Sequence, residues 1–198
     1  MLFKRRKPLN KSRRFMVMLR KNFRKKRYKT LRSPDVKPVV GCIMKCDLGL
    51  LLEHTGVYIG DGKIVSLNRH SQIRVESPKT FFPPGTNPDS NRIYTACFEK
   101  TDIVLAAPII AKRAKKHINE KTPYNVLFNN CHRFTCGCVT GNFENDVVSF
   151  AMLEEILHRN IALLRPKKSL WHRFKNFVLR KKEKPLSDRY NWRPVKFD

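Results

Sequence analysis

The 198-residue chain reads as one α+β domain, an antiparallel sheet packed against helices, set between two basic tails that are helical or disordered. Three observations lead there. The net charge of +26 is concentrated at the ends: residues 1–34 hold 15 Lys and Arg and no acid, residues 158–198 hold 13 against 3 acids, and residues 35–157 hold 14 against 13. The near-neutral middle carries a tight turn, Gly60-Asp61-Gly62-Lys63, between two β-rich runs, which is a strong hairpin signal. Further along, the apolar residues change to helical spacing. The organisation is therefore a basic tail over 1–34, a folded domain over 35–157 and a basic amphipathic tail over 158–198.

Taken in order, residues 1–32 place Phe15, Met18, Leu19 and Phe23 at helical spacing among Arg and Lys, as a basic amphipathic helix or a disordered basic arm would. Ser33-Pro34-Asp35 and Pro38 mark a linker. Residues 39–44 predict a strand, 48–52 form a second apolar run, and 55–59 and 64–67 are the arms of the hairpin. Residues 73–75 add a short strand and 83–88 a proline-rich loop. Residues 103–105 are strand-like, and a helix is predicted over 108–119, with Pro108 in its first turn. Residues 126–128 predict a short strand leading into Cys131 and a helix that Gly141-Asn142 ends. Residues 147–157 predict a further helix. Residues 167–184 set Leu170, Trp171, Phe174, Phe177 and Val178 on one face and Lys and Arg around the rest, the pattern of a helix lying in a membrane interface. There is no internal repeat of domain scale.

Basic ends seek polyanions, either nucleic acid or an anionic membrane surface. Charges follow Met1-Leu2-Phe3 directly, without the apolar stretch of a signal peptide, so a cytoplasmic, reducing setting is expected. The longest apolar run, 103–111, is nine residues and contains Pro108, too short for a membrane span. Of the six cysteines, Cys42-x-x-x-Cys46 and Cys136-Gly-Cys138 match zinc knuckles poorly, and packed reduced thiols are the better reading. No metal or other cofactor is expected.

Cys131 differs from the others. At a strand-to-helix junction, unsatisfied backbone N–H groups and the helix dipole favour an anion, which lowers a thiol pKa and makes a nucleophile. His54, at a strand start, is a candidate general base for it. A Cys–His pair needs a third polar group to orient the imidazole, and the return strand of the hairpin offers Ser66 or Asn68 on one face.

The order His54-x-Gly-Val-Tyr-Ile-Gly-Asp-Gly62, an apolar return strand, then Tyr124-Asn-x-Leu-x-x-Asn-Cys-x-x-Phe134 resembles the lecithin:retinol acyltransferase (LRAT)-like family over about residues 39–150. That family is a circularly permuted branch of the NlpC-type, papain-like cysteine hydrolases. The resemblance implies Cys131 as nucleophile and His54 as base. The family's third residue, commonly a second His twelve positions after the first, falls on Ser66 here, with Asn68 as a substitute. The family's Asn-Cys-Glu-His-Phe reads Asn130-Cys131-His132-Arg133-Phe134, which moves the charge beside the nucleophile toward basic and should favour thiolate and anionic substrates.

The function so implied is a peripheral-membrane cysteine acyltransferase or lipid hydrolase. It would act on an acyl lipid through a thioester, with the basic tails on an anionic bilayer. Two alternatives share the residues: a papain-like peptidase or amidase, and a catalytically weak scaffold that binds nucleic acid or membrane through its tails, the nucleic acid with a steep salt dependence.

Overall fold

The computed structural model describes residues 34–47, 53–68, 70, 72–82, 92–122, 130–166 and 185–197. The two amphipathic-helix expectations within 1–32 and 167–184, the apolar run 48–52, the loop 83–88 and the short strand 126–128 lie outside them.

Six strands form one antiparallel sheet: β1 (Ile43–Asp47), β2 (Glu53–Gly60), β3 (Lys63–Leu67), β4 (Ile73–Glu76), β5 (Ile93–Phe98) and β6 (Tyr190–Pro194), in the order β4-β3-β2-β1-β5-β6. Among the described residues four helices accompany it: α1 (Pro78–Phe81), α2 (Pro108–Lys116), α3 (Cys131–Thr140) and α4 (Phe150–Arg159). The architecture is α+β, as the sequence predicts.

The β2–β3 hairpin follows from its turn. Asp61 and Gly62 both take positive φ, 52° and 65°, the combination that matches the twist of two antiparallel strands. β1 begins later than the expected 39–44. Gly41 sits at φ 86° in a turn, leaving Val39 and Val40 exposed, and the strand runs on through Cys46 to Asp47. Residues 103–105 form no strand of their own but pair with β5 at one bridge, Val104 to Cys97, with the Phe98 N–H donating to the Ile103 carbonyl at 2.9 Å and the Leu105 N–H to the Ala96 carbonyl at 2.8 Å. α2 stops at Lys116, short of the expected 119, and α4 starts at Phe150 because Ser149 caps it, its hydroxyl accepting from the Met152 N–H. Strands β5 and β6 and helix α1 are additions to the sequence reading. β6 comes from the stretch read as the basic C-terminal tail, and its Trp192 is buried against the domain.

Helices α2 and α3 pack on β2, and α4 packs on α3. The main core lies on that face: Val57, Val65, Phe98, Leu105, Ile110, Phe134, Val139, Leu157 and Trp192. The opposite face holds Met44, Cys46, Tyr58, Ile64 and Cys97 under Phe81 of α1. A cation closes the β1–α4–β6 corner. Lys45 Nζ lies 4.7 Å from the Phe150 ring centre, 5.5 Å from Trp192 and 5.6 Å from Tyr94, and bonds Asp47 at 3.0 Å. This fixes α4 over the first turn of α3.

Two glycines separate backbone strain from crowding. A Cβ on Gly62 would meet nothing within 4 Å, whereas one on Gly41 would lie 2.0 Å from the Ala107 carbonyl oxygen. Gly62→Ala is expected to cost about 1–2 kcal/mol, the left-handed penalty alone. Gly41→Ala should cost more, because the 107–108 backbone that starts α2 must move. Urea unfolding of the two variants measures the difference, and equal losses would contradict it.

Candidate active site

Helix α3 begins at Cys131 because Asn130 caps it. Asn130 Oδ1 accepts from the backbone N–H of His132 at 3.0 Å and of Arg133 at 3.3 Å, and its Nδ2 donates to the Val148 carbonyl at 2.7 Å. One asparagine thus starts the helix and ties it to the segment before α4. At the other end Gly141, at φ 88°, closes the helix with a left-handed cap. Cys131 occupies the first helical position, where the positive end of the helix dipole favours a thiolate.

The helix lies across β2, which brings His54 and Thr55 to the sulfur. His54 is the neighbour whose charge and polarity act most strongly on the Cys131 sulfur, which also lies 3.9 Å from the Glu53 carbonyl oxygen. The His54 ring stacks on Phe81 of α1 with centroids 4.8 Å apart. Gly56, two residues on and on the same face, makes room for this: a Cβ there would lie 2.8 Å from the Val65 carbonyl oxygen and 3.0 Å from the Phe81 ring. The glycine of the His-x-Gly pattern is therefore a packing requirement of the histidine's own platform.

Behind His54 stands a relay. His54 Nε2 lies 3.2 Å from Ser66 Oγ on β3, and Ser66 Oγ lies 2.5 Å from Glu76 Oε2 on β4. Glu76 Oε2 is itself 4.0 Å from His54 Nε2. An ionised carboxylate only accepts, so the Ser66 hydroxyl donates to Glu76 and its oxygen takes the Nε2–H of His54. With Nε2 so engaged, Nδ1 is the ring nitrogen left for the sulfur. The register explains the meeting: Ser66 is opposite Arg74 and Glu76 opposite Ile64, so serine and glutamate are diagonal neighbours on one face. Asn68 does not join them. Its Oδ1 accepts from the His70 N–H at 2.9 Å and the Gln72 N–H at 3.2 Å, holding the β3–β4 turn. His70 lies beyond the end of β3 and is exposed.

The charges follow from these contacts. Burial alone would push the Cys131 thiol up, but the charge and hydrogen bond of His54, with the N–H and hydroxyl of Thr55, hold it below the ordinary 9.0. Burial alone would push His54 down, but the Cys131 thiolate, its hydrogen bond and Glu76 raise it from 6.5 to about 9. The contacts thus favour the thiolate–imidazolium form of the pair over the neutral one. The thiols of Cys42, Cys46, Cys97, Cys136 and Cys138 are pushed up by burial, Cys42 to about 11 and Cys97 to about 12. All six cysteines are free, and Cys131 alone of them has a thiol pKa below the ordinary value. Among the described residues no group of three or more His, Cys, Asp and Glu is arranged to hold a metal ion.

His132 corrects one expectation about charge. Burial, then the nearby charge of His54, pushes its pKa down to about 4, so it adds no positive charge beside the nucleophile. Arg133 is half-buried with its Nε donating to the Phe143 carbonyl at 3.4 Å. Glu76 and Thr55 are the contacts absent from the sequence reading. Thr55 occupies the unspecified place in His-x-Gly, and Glu76 is two strands from His54; both need the register of the sheet to be seen.

Compared with known proteins, the family model described as lecithin retinol acyltransferase matches residues 37–144, more than half of the chain. No curated protein matches it. The matched span contains β1 to β5 and α1 to α3, with Cys131, His54, Ser66 and Glu76. The chain therefore belongs to the lecithin retinol acyltransferase family, whose chemistry is of the acyltransferase or hydrolase type.

Proposed function

We propose that the chain is a cysteine acyltransferase or lipid hydrolase that works through an acyl-thioester on Cys131. The observation that carries this is the line Cys131–His54–Ser66–Glu76, buried at its cysteine and serine, in which a thiol held low at a helix N-terminus faces an imidazole held high and backed by a carboxylate. The Cys131 thiolate attacks the acyl carbonyl carbon. As the C–S bond forms and the ester C–O bond breaks, His54 gives its proton to the leaving alkoxide. Neutral His54 then takes a proton from the acceptor, a water, alcohol or amine, which attacks the thioester and releases the thiolate. Asn130 occupies the N–H groups of His132 and Arg133, and the Cys131 N–H is the first-turn donor it does not take, in reach of a developing oxyanion. Ser66 and Glu76 orient His54 and favour its charged form.

The substrate class is an acyl lipid met at an anionic bilayer. The basic ends support this, since each Lys or Arg near such a surface contributes about 1 kcal/mol. Among the described residues no helix is long and apolar enough to cross a membrane. A circularly permuted NlpC-type, papain-like ancestry fits the chain order, with the histidine strand ahead of the nucleophile helix.

Incubation with lipid vesicles carrying a labelled acyl chain should place label on Cys131 as a hydroxylamine-sensitive thioester. Cys131→Ala should carry none, and equal labelling of that variant would sink the reading. Glu76→Gln keeps an acceptor for Ser66 but removes the negative charge that supports the His54 imidazolium, so turnover should fall about 10- to 100-fold. An unchanged rate would make the carboxylate irrelevant to the reaction.

Acylation needs thiolate and imidazolium together. The rate should rise with pH through the lowered Cys131 pKa, hold a plateau, and fall as His54 loses its proton near 9. A profile still rising at pH 10 would contradict the pair. Salt-dependent binding to RNA or DNA with no thioester formed would favour the scaffold alternative instead.

A further inference from the structure

The nucleophile has a second set of contacts that the His54 side does not explain. Thr55 Oγ1 lies 3.2 Å from His132 Nδ1 and 3.1 Å from Thr135 Oγ1, and the same hydroxyl faces the Cys131 sulfur. Thr55 and Thr135 are fully buried and His132 nearly so. A hydroxyl has one hydrogen to give and two lone pairs to fill. With Cys131 as a thiolate, which can only accept, the hydrogen of Thr55 is assigned to the sulfur. Its lone pairs are then available to the Thr135 hydroxyl and to His132, which must present Nδ1–H. The network is complete with neutral His132 as the Nδ1–H tautomer.

We propose that His132 is a positioning residue: its Nδ1–H aims the Thr55 hydroxyl at the Cys131 sulfur, giving the thiolate a second hydrogen-bonding arm besides that of His54. Neutrality suits this role, since a cationic His132 would oppose the His54 charge that the thiolate depends on. The imidazole is held from outside as well. Its ring lies 6.0 Å from Phe150 of α4, which stacks on Trp192 of β6 at 5.4 Å. The arm works in both halves of the reaction. It favours the thiolate as attacking group, and it favours the same thiolate when it leaves the thioester. The other titratable groups around the sulfur are His54 on β2, Cys46 on β1 and, through His54, Glu76 on β4.

The inference rests on Cys131 being the thiolate of the site, and the test separates the two. In the full chain, the rate of Cys131 alkylation by iodoacetamide is followed against pH by peptide mass spectrometry, with the five buried cysteines as internal controls. Wild type should give a midpoint below 9; a midpoint at 9 or above overturns the thiolate reading itself. Thr55→Val and His132→Leu should each raise the midpoint by about one unit, a tenfold loss of thiolate at a fixed lower pH. Thr55→Ser and His132→Asn, which keep a hydroxyl and an N–H at the same places, should restore it. The double variant Thr55→Val/His132→Leu should shift no further than Thr55→Val alone, because His132 acts through Thr55. A low wild-type midpoint that His132→Leu leaves unmoved overturns this inference alone, as does an additive double variant. Thermal unfolding of each variant checks the fold, and if Thr55→Val does not fold, His132→Leu against His132→Asn decides.

Discussion

The structure turns on a charge pair held out of water. Burial disfavours the charged form of both Cys131 and His54, yet together they hold their charges because each supplies what the other loses in hydration. Such a pair persists only where its remaining hydrogen-bonding capacity is met. That is the common purpose of contacts spread over five elements: the first turn of α3, Thr55 on β2, Ser66 on β3, Glu76 on β4 and the Phe81 platform on α1. Removing a partner leaves a buried charge without compensation, which costs about 3–5 kcal/mol unless the survivor changes its protonation.

Getting those groups together sets demands on parts of the chain that carry no chemistry. Gly56 has no side chain because the Val65 carbonyl, Ile64 and Phe81 stand where one would go. Asn130 starts α3 at the cysteine and not a residue later. Lys45, half-buried among Phe150, Trp192 and Tyr94, anchors α4 and β6 where they back His132. The last strand, outside the family match, therefore belongs to the support of the site and not only to the sheet edge.

What was legible in the sequence was what local rules decide. The hairpin was readable because two adjacent residues accept positive φ, and the end of α3 because Gly141 does. The approach of the return strand to His54 was readable because a hairpin forces its arms together, though it left Ser66 and Asn68 as alternatives, and Cys131 was joined to them by residue type and the family resemblance. Glu76 was not, because its contact to Ser66 depends on the register of a third strand, reached through a turn that Asn68 holds. β6 was hidden in a basic stretch, where Tyr190 and Trp192 are the inward residues of a strand with no hairpin partner beside it in sequence. His132 was read by residue type as a step toward positive charge. Its burial, which sequence does not report, reverses that.

Serine at position 66 changes how the base is supported. A second imidazole there would bring its own titration and could hold a proton. A hydroxyl does neither; it passes polarity from a donor on one side to an acceptor on the other. The negative charge that steadies the imidazolium must then come from beyond it, and Glu76 provides it at 2.5 Å from the serine oxygen. The other imidazole near the sulfur, His132, is kept neutral by burial and by the His54 charge. The pH response of the site is thereby left to the two groups that exchange the proton, Cys131 and His54. Serine in place of histidine thus simplifies the titration of the site and hands the support of the imidazolium to the glutamate two strands away.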